Sequence, residues 1–434
     1  MNEAAYSLKE SIRDLPNNIK ESVFRRKVAT ADQQQAAAVF GNLFLHLHPV
    51  KVHINTLRPG YTLGLGLISF YLAVILVVSG IFLMFYYVPS TALAYRSMKD
   101  LEFVVSFGMV MRNVHRWAAH AMVISVFLHM CRVFYTGAHK SPREFNWVIG
   151  VCLLILTLLL SFTGYLLPWD QLAFWAITVG TNIVSYLPWI GDDVRYMILG
   201  GNLVEQTALL RFYVLHCVML PLLMTVLVGV HFWRIRKDGG LSRPSNECVK
   251  LEKEENWGDS ITQAAEREEV FPKDPNKTYS LMAIVEGESF HVEAGPDDTL
   301  LTWPHLILRE FLLFLLVFIV ILGVSLVFDA PLEEPANPLH STNPAKAPWY
   351  FVGIQELVSY SAFFGGAVIP AAIVLGLLLL PYLDRSPIGV GVWFSRYRWF
   401  GITVFSMFVL AMVFLILIGQ FLRGPNWVLY WPWR

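Results

Sequence analysis

The stretch from Arg112 to Arg132, RNVHRWAAHAMVISVFLHMCR, decides the fold. It is long and apolar enough to cross a bilayer as a helix, yet it carries His115 and His129, which are 14 residues apart. At 100° per residue they fall about 40° from a common line on the helix, with about 21 Å of rise between them. The two histidines therefore lie on nearly one face at two depths, where polar side chains are costly and usually functional.

A second apolar stretch, RFYVLHCVMLPLLMTVLVGVHFWRIRK at 211–237, repeats the pattern with His216 and His231, which are 15 residues apart. This spacing is about 60° past four turns with about 22 Å of rise, so the two separations match. If the two helices run parallel, His115 meets His216 at one depth and His129 meets His231 at the other. Four imidazoles in matched pairs favour two metal centres with axial bis-histidine ligation, as in haem. Incidental histidines in helix packing are the weaker alternative.

His120 provides the contrast within the first stretch. It lies about 140° around the helix from His115, and the second stretch has no histidine at a corresponding position. We therefore expect His120 not to be a metal ligand.

The composition places the chain in a membrane. Of its 434 residues, 55% are hydrophobic and only 15% are charged, whereas soluble proteins carry roughly 25% charged residues. Seven stretches are long enough to span a bilayer. They predict an all-α polytopic membrane protein, with a four-helix dihaem bundle followed by three further transmembrane helices. The predicted spans are residues 61–88, 104–135, 147–167, 212–235, 306–328, 365–383 and 399–422.

The charge is balanced overall but divided along the chain. Lys+Arg and Asp+Glu both number 33, which excludes a broadly basic nucleic-acid binder. Residues 245–300, however, hold 14 acidic and 5 basic residues, so an acidic insert interrupts a basic remainder. We predict four parts: a polar interfacial segment, the four-helix dihaem domain, the acidic insert and a three-helix domain. Their bounds are 1–60, 61–240, 241–304 and 305–434.

Two interpretations of the acidic insert stay open. A solvated linker is favoured, and a docking surface for a basic partner is the alternative. Within the insert, SLMAIVEGESFHVEAG at 280–295 could form a small hairpin with EGES as its turn.

Lysines and arginines predict the orientation. They are concentrated before the first span, after the second and fourth, and between the last two, so the positive-inside rule puts the N-terminus in the cytoplasm. The second and fourth spans then run parallel, as the histidine pairing requires. The N-terminal residues include acids and no apolar core, so we do not expect a cleavable signal peptide.

Cysteine spacing excludes several other metal sites. None of the four cysteines forms a CxxC pair, which rules out covalent haem attachment through CxxCH. The pattern also argues against a four-cysteine iron–sulfur cluster and a CxxC-type zinc site. The four residues are Cys131, Cys152, Cys217 and Cys248.

Glycines repeat the spacing of the histidines. Gly66 and Gly80 in the first span are 14 residues apart, and so are Gly150 and Gly164 in the third. Glycine costs up to about 1 kcal/mol against alanine inside a helix, so the repeat needs a reason. Clearance for a flat macrocycle is the favoured explanation, and ordinary small-residue helix packing is the alternative.

Arginines accompany the histidines near both membrane faces. Arg112 and Arg116 flank His115, Arg132 follows His129, and Arg211 precedes His216. We expect these cations to pair with haem propionates. Interfacial snorkelling is the alternative.

With these features the chain resembles the cytochrome b subunit of the cytochrome bc complexes, which oxidise quinol and reduce cytochrome c or plastocyanin. The resemblance rests on the two histidine stretches, GYLLPWDQ after the third span and PWYF at 348–351. Four details resemble the plastid-type bf form more closely: HRW at 115–117, the 15-residue spacing, PWDQ at 168–171 and IRK at 235–237. In that form the two halves are separate polypeptides, whereas here the acidic insert joins them.

Two departures from the family pattern affect the sites. The plastid-type form attaches an extra haem to a cysteine at the position of Gly64, so we expect no covalent haem here. The family's outer Pro-Glu-Trp-Tyr motif is Ala347 to Tyr350 in this chain, and Pro348 occupies the position of the proton-accepting glutamate. Glu356 is the substitute that we predict, with an interfacial solvated carboxylate as the alternative.

The resemblance implies bifurcated quinol oxidation. One electron would go to a Rieske iron–sulfur protein and on to a c-type cytochrome. The other would pass through an outer His115/His216 haem and an inner His129/His231 haem to quinone, with proton translocation. Residues implied for the outer quinol site are Tyr165, Pro168, Trp169, Trp349, Tyr350 and Glu356. Arg236 matches the inner quinone site, with a positive-inside anchor as its alternative.

The resemblance also implies an assembly and a location. The complex would be a dimer in a bacterial cytoplasmic membrane, without nucleic acid.

Two other classes of protein compete with this interpretation. A dihaem anchor of another redox enzyme would be shorter, and a proton-coupled transporter would bind no haem and would show repeat symmetry.

Overall fold

The computed structural model describes residues 48–242 and 299–431, together with the single positions 13, 16 and 39. Apart from residues 299 and 300, the acidic segment 245–300 lies outside the described residues, and so does the hairpin predicted at 280–295.

Seven helical segments in the described part of the chain are long and apolar enough to cross a membrane, which confirms the predicted fold class. Backbone polar groups in lipid must be satisfied within the segment, and a helix achieves this. The segments are Leu65–Met84, Gly108–Tyr135, Glu144–Tyr165, Gln206–Asp238, Thr302–Val327, Phe364–Leu383 and Arg396–Leu422.

We number the α-helices and strands in chain order. The strands are β1 Lys51–His53 and β2 Thr299–Leu301. The first helices are α1 Pro59–Thr62, α2 Leu65–Met84, α3 Ala94–Phe103, α4 Gly108–Tyr135, α5 Glu144–Tyr165, α6 Gln171–Ser185 and α7 Gly191–Leu199. The later ones are α8 Gln206–Val214, α9 Leu220–Asp238, α10 Thr302–Val327, α11 Trp349–Tyr360, α12 Ile369–Leu383 and α13 Trp399–Leu417. Short 3₁₀ and π turns lie at Ile54–Leu57, Leu215–Met219, Phe364–Val368, Arg396–Arg398, Ile418–Leu422 and Pro425–Trp427.

The four helices of the first bundle pack as two close pairs. Helix α2 packs on α4 and α5 packs on α9, while α4 also contacts α5. Helix α10 packs against α2 and α4, α12 packs against α5, and α11 packs against α13. The later helices therefore enclose the bundle on two sides.

One membrane face, called here the near side, holds residues 48–58. There β1 pairs antiparallel with β2, with Val52 opposite Leu300. This pairing holds the segment before α2 beside the start of α10. The loops α4–α5 and α12–α13 meet on the same side, where Lys140 Nζ lies 2.6 Å from Asp384 Oδ1 and Arg398 Nη2 lies 3.3 Å from Asp384 Oδ2.

The opposite face, called here the far side, carries two long connections. Asp170 caps α6 by accepting a hydrogen bond from the Ala173 N–H at 2.9 Å, and its other oxygen accepts from the Glu333 N–H at 3.1 Å. The Ala336 N–H donates to the Trp169 carbonyl at 3.1 Å. These bonds fix the proline-rich connection after α10 against the start of α6.

Candidate functional site

The structure brings the histidines of α4 and of the Gln206–Asp238 segment together in two pairs. The ring centroids of His115 and His216 are 6.2 Å apart near the far side, and those of His129 and His231 are 6.5 Å apart near the near side. An imidazole nitrogen binds a metal ion at about 2.0–2.1 Å, so two axial imidazoles on one ion would have centroids about 6.3 Å apart. Each pair is therefore spaced to hold one metal ion between its rings.

Hydrogen bonds to Nδ1 define which nitrogen of each far-side histidine is free. The Ser79 hydroxyl donates to the Ile75 carbonyl at 2.7 Å, so it accepts the bond from His115 Nδ1–H at 2.9 Å. His216 Nδ1 lies 3.1 Å from the Leu160 carbonyl, which can only accept. Both rings thus carry their proton on Nδ1 and leave the Nε2 lone pair for a metal ion.

A π turn explains the unequal histidine spacings. His216 lies in the turn Leu215–Met219, which contains one more residue than an α-helical turn would. The turn absorbs the extra residue of the 15-residue spacing, so His216 and His231 reach the same two depths as His115 and His129. The 15-residue spacing was visible in the sequence, but the π turn that causes it was not.

Each of the four repeated glycines lies against one histidine ring. A Cβ on Gly66 would be 3.1 Å from His129 Cε1, and one on Gly80 would be 3.2 Å from His115 Cε1. On α5, a Cβ on Gly164 would be 2.5 Å from His216 Cε1, and one on Gly150 would be 3.8 Å from His231 Cε1. The close approach therefore involves the imidazoles themselves: the glycines of α2 lie against the histidines of α4, and those of α5 lie against the histidines of the Gln206–Asp238 segment.

Any metal ion in these positions needs further ligands. Within the described part of the chain, no group of three or more His, Cys, Asp and Glu side chains is placed to hold a metal ion. Two imidazoles with glycine clearance suit an ion whose other ligands come from a flat macrocycle.

Two arginines beside the histidine pairs have a buried nitrogen atom that could bind an anion. In the described residues, Arg116 Nε and Arg132 Nε are buried without a hydrogen-bond partner. The Arg116 guanidinium lies 5.2 Å from the centre of the Tyr165 ring, and that of Arg132 lies 5.1 Å from the centre of the Tyr61 ring. Their positions near opposite membrane faces suit the propionates of two haems.

Arg112 differs from its prediction. Its Nη1 donates to Glu102 Oε1 at 2.7 Å and to the Ala330 carbonyl at 2.9 Å, and its Nη2 donates to the Pro331 carbonyl at 2.8 Å. Arg112 therefore fixes the connection after α10, and we no longer assign it to a propionate. The spacing could not show this because the two carbonyls that Arg112 binds lie 218 and 219 residues away.

The other two predicted arginines lie at the ends of the Gln206–Asp238 segment. Arg211 is exposed, and its Nη1 donates to the Met197 carbonyl. Arg236 lies five residues after His231, near the near-side end of α9.

The aromatic residues predicted for a quinol site separate into two groups. Trp349 and Tyr350 begin α11 and approach α5, where the Phe162 and Phe351 rings are 6.0 Å apart. Burial raises the pKa of Tyr350, while the positive charge of Arg116 partly opposes that rise.

Three residues of the PWDQ segment, Trp169, Asp170 and Gln171, are buried under the far-side connections. Trp169 packs on Phe174 with ring centroids 5.9 Å apart, and Pro168 directly precedes it. Burial raises the pKa of Asp170, against hydrogen bonds from backbone N–H groups and the charges of nearby arginines. A cavity of 380 Å³ beside this segment is lined by Trp169 but not by Tyr165 or Tyr350.

Glu356 lies in surroundings that oppose the predicted proton-accepting role. Its side chain is 0% exposed, and its Oε1 lies 2.6 Å from Arg423 Nη2. Its Oε2 accepts a hydrogen bond from Trp427 Nε1 at 3.0 Å. Burial alone would raise the pKa of Glu356, but the bonds from Arg423, Tyr360 and Trp427 lower it overall. A carboxylate held in its ionised form is a weak proton acceptor, so we assign Glu356 to the support of α11.

Sequence reasoning missed the contact of His120. Trp349 Nε1 donates to His120 Nδ1 at 2.8 Å across the interface between α4 and α11. The angle of about 140° between His115 and His120 separates His120 from the metal-binding face, but helix geometry does not show what packs on the other face.

Comparison with known proteins agrees with this geometry. A family model described as cytochrome b/b6/petB matches residues 50–239, and one described as cytochrome b(C-terminal)/b6/petD matches residues 335–431. The cytochrome b6 of Heliomicrobium gestii is 45% identical over 193 residues, which cover 44% of this chain and 88% of that protein. The menaquinol:cytochrome c reductase cytochrome b subunit of Bacillus subtilis is 40% identical over 195 residues, covering 44% and 87%.

A solved structure extends the likeness over most of the chain. A chain of a hyperthermophilic respiratory complex III matches with a TM-score of 0.66 and 27% identity, covering 84% of this chain and 85% of that one. The chain belongs to the cytochrome b/b6 family. It is an electron-transferring membrane subunit of a bc- or b6f-type oxidoreductase complex, and the parts corresponding to b6 and subunit IV are joined in one polypeptide.

Proposed function

We propose that this subunit holds two b-type haems and carries electrons between a far-side site of quinol oxidation and a near-side site of quinone reduction. The observation that carries the proposal is the pair of histidine couples, with ring centroids 6.2 and 6.5 Å apart at two depths of one bundle. The family match supports haem as the group that they hold.

The ligands are preorganised by their neighbours. Ser79 and the Leu160 carbonyl hold His115 and His216 through Nδ1, so that Nε2 of each ring faces the metal position. His129 and His231 would hold the second iron. When bound, haem supplies one-electron chemistry, and the protein supplies ligands, spacing and electrostatics.

The residues around the haem edges would neutralise the propionates. Arg116 serves the far-side haem and Arg132 the near-side haem, because each has a buried nitrogen without a partner in the described residues. Each also stacks on a tyrosine ring, which limits the directions its guanidinium can take. Arg211 remains a candidate for the far-side haem.

The far-side quinol site would lie where the start of α11 meets α4 and α5. Tyr165, Trp349 and Tyr350 would line it, with Arg116 close to both tyrosines. Trp169 lines a separate cavity that Tyr165 and Tyr350 do not reach, so we leave Pro168 and Trp169 out of this site. On the near side, Arg236 would supply a cation for the quinone-reduction site.

Orientation and partners follow from the charges and the comparisons. The basic near side would be cytoplasmic in a bacterial membrane. A Rieske protein and a c-type cytochrome would accept electrons at the far side, and the complex would be a dimer that translocates protons. The name of the Bacillus subtilis relative, a menaquinol:cytochrome c reductase subunit, supports a cytochrome as electron acceptor, and the solved complex III supports assembly into a larger complex.

Difference spectra of the purified complex test the haem assignment. We expect His115→Leu and His216→Leu to lose the same b-type component, and His129→Leu and His231→Leu to lose the other. His340→Ala replaces a histidine in an exposed connection and should keep both. Absence of b-type bands in the unaltered complex, or loss of different components within one pair, would overturn the assignment.

A further inference from the structure

His120 lies among aromatic rings at the junction of α4 and α11. Its ring centroid is 5.5 Å from that of Trp117, 6.4 Å from that of Trp349 and 5.7 Å from that of Tyr350. The side chain is half-buried. It therefore contacts both aromatic residues at the start of α11, directly after Pro348.

The bond from Trp349 determines the tautomer of His120. An indole N–H can only donate, so His120 Nδ1 at 2.8 Å from Trp349 Nε1 must accept. The neutral ring then carries its proton on Nε2. Throughout residues 48–242 and 299–431, this hydrogen bond is the one that His120 makes, and its Nε2–H is free to donate to a ligand.

The same bond limits the chemistry that His120 can perform. With Nδ1 occupied by the Trp349 N–H and a proton on Nε2, the imidazole has no free lone pair and cannot take a proton from quinol. A donor of this kind suits an oxygen that accepts, such as a quinone carbonyl or the oxygen of a quinol hydroxyl.

We propose that His120 Nε2–H donates a hydrogen bond to a ring oxygen of the quinone bound at the far-side site, and that Trp349 fixes the tautomer required for it. This rests on the far-side quinol site proposed above and deepens it by naming the group that binds the ring oxygen. The site then binds substrate and product through the same donor. His120 therefore binds the ring oxygen, and a different group must accept the proton of the quinol.

The first experiment compares donor-free and donor-retaining variants of the purified complex, with menadiol as substrate and cytochrome c as acceptor. His120→Phe keeps a ring but removes the N–H, and we expect the KM for menadiol to rise about five- to tenfold. The kcat should change less than about twofold, since binding rather than chemistry is affected. His120→Gln keeps a side-chain N–H, and its KM should stay within about threefold of the unaltered value.

Two tryptophans provide a matched comparison for the role of Trp349. Trp117 also contacts the His120 ring, but its Nε1 donates to the Phe328 carbonyl at 2.7 Å. Trp349→Phe should raise the KM about as much as His120→Phe, and the double variant should show no further rise because both changes remove one interaction. Trp117→Phe should leave the KM unchanged.

The outcomes separate this inference from the proposed function. Both haem components must be present in each variant, which the difference spectrum reports. An unchanged KM in His120→Phe, or an equal rise in Trp117→Phe, would overturn the role of His120 while leaving quinol oxidation intact. An unaltered complex with both haems that oxidises no quinol would overturn the proposed function, and the inference with it.

Discussion

The carboxylate of Glu356 and the guanidinium of Arg423 form a buried ion pair, with 2.6 Å between Oε1 and Nη2. The pair joins α11 to the segment that follows α13, and Trp427 Nε1 and Arg423 Nε add hydrogen bonds to the same carboxylate at 3.0 Å each. Because α11 also presents Trp349 and Tyr350, the pair determines how firmly those two residues are held at the far side.

Removing one partner of the pair should cost more stability than removing both. Arg423→Met leaves a buried carboxylate without its counter-charge, which costs about 3–5 kcal/mol. The double variant Glu356→Gln/Arg423→Met removes the charge as well and should regain much of that loss. Thermal unfolding of the purified complex, followed by circular dichroism, measures both. A double variant less stable than Arg423→Met would contradict the ion-pair account.

Glu356→Gln should lower quinol turnover without changing the shape of its pH profile. The lowered pKa of Glu356 means that its carboxylate stays ionised in the working range, so its replacement alters support for α11 rather than proton acceptance. Steady-state rates with menadiol at several pH values provide the measurement. Loss of a pH-dependent limb in this variant would restore Glu356 as the proton acceptor.

The sequence predicted the fold class and the histidine pairs because both depend on local periodicity. A run of apolar residues of bilayer length predicts a spanning helix, and fixed rise and rotation place His115 and His129 at two depths. The structure lengthens the fourth span to Gln206–Asp238, because α8 already begins at Gln206, before the predicted start, and α9 continues to Asp238.

Contacts between distant parts of the chain could not be predicted in this way. Arg112 is close to His115 in sequence, yet its partners are Glu102 and the carbonyls after α10. The environment of Glu356 depends on Arg423, 67 residues away. Side-chain spacing on one helix says nothing about which loop packs over that helix, so these two assignments needed the folded structure.

His139 should make the complex less stable as the pH falls below about 6.5, the ordinary pKa of histidine. Burial lowers the pKa of His139 in the folded protein, and its hydrogen bond with Asp384 only partly opposes this. Below about pH 6.5 the unfolded chain therefore binds a proton that the folded one excludes. Stability is then lost by up to about 1.4 kcal/mol per pH unit until the folded pKa is reached.

Thermal unfolding measures this loss between about pH 7.5 and about pH 5.5, a range that brackets the ordinary pKa of histidine. His139→Gln should flatten the dependence, whereas His340→Gln, in an exposed connection, should not. An unchanged slope in His139→Gln would show that another group titrates.

Gly164→Ala and Gly150→Ala, two substitutions on α5, should have opposite effects on haem binding. A Cβ on Gly164 would lie 2.5 Å from His216 Cε1, so the ring must move and the far-side haem should be lost or weakly bound. A Cβ on Gly150 would lie 3.8 Å from His231 Cε1, an ordinary contact, and helix propensity favours alanine by up to about 1 kcal/mol. Haem content per subunit distinguishes the two variants. Equal haem loss in both would argue against a specific clearance at Gly164.

Ser79→Ala should raise the midpoint potential of the far-side haem while keeping the haem bound. Ser79 Oγ accepts the Nδ1–H of His115 at 2.9 Å, and such a bond makes the imidazole a stronger donor that favours the oxidised metal. Its loss corresponds to about 20–60 mV for one electron.

Ser69 offers the matched control for that shift. It is buried on the same helix, and its hydroxyl donates to the Leu65 carbonyl at 2.9 Å and lies 3.0 Å from Ser125 Oγ. Among the described residues it makes no bond to a histidine. Redox titration of Ser69→Ala should leave the far-side potential in place. If both serine variants shift it equally, the change reflects packing of α2 rather than the bond to His115.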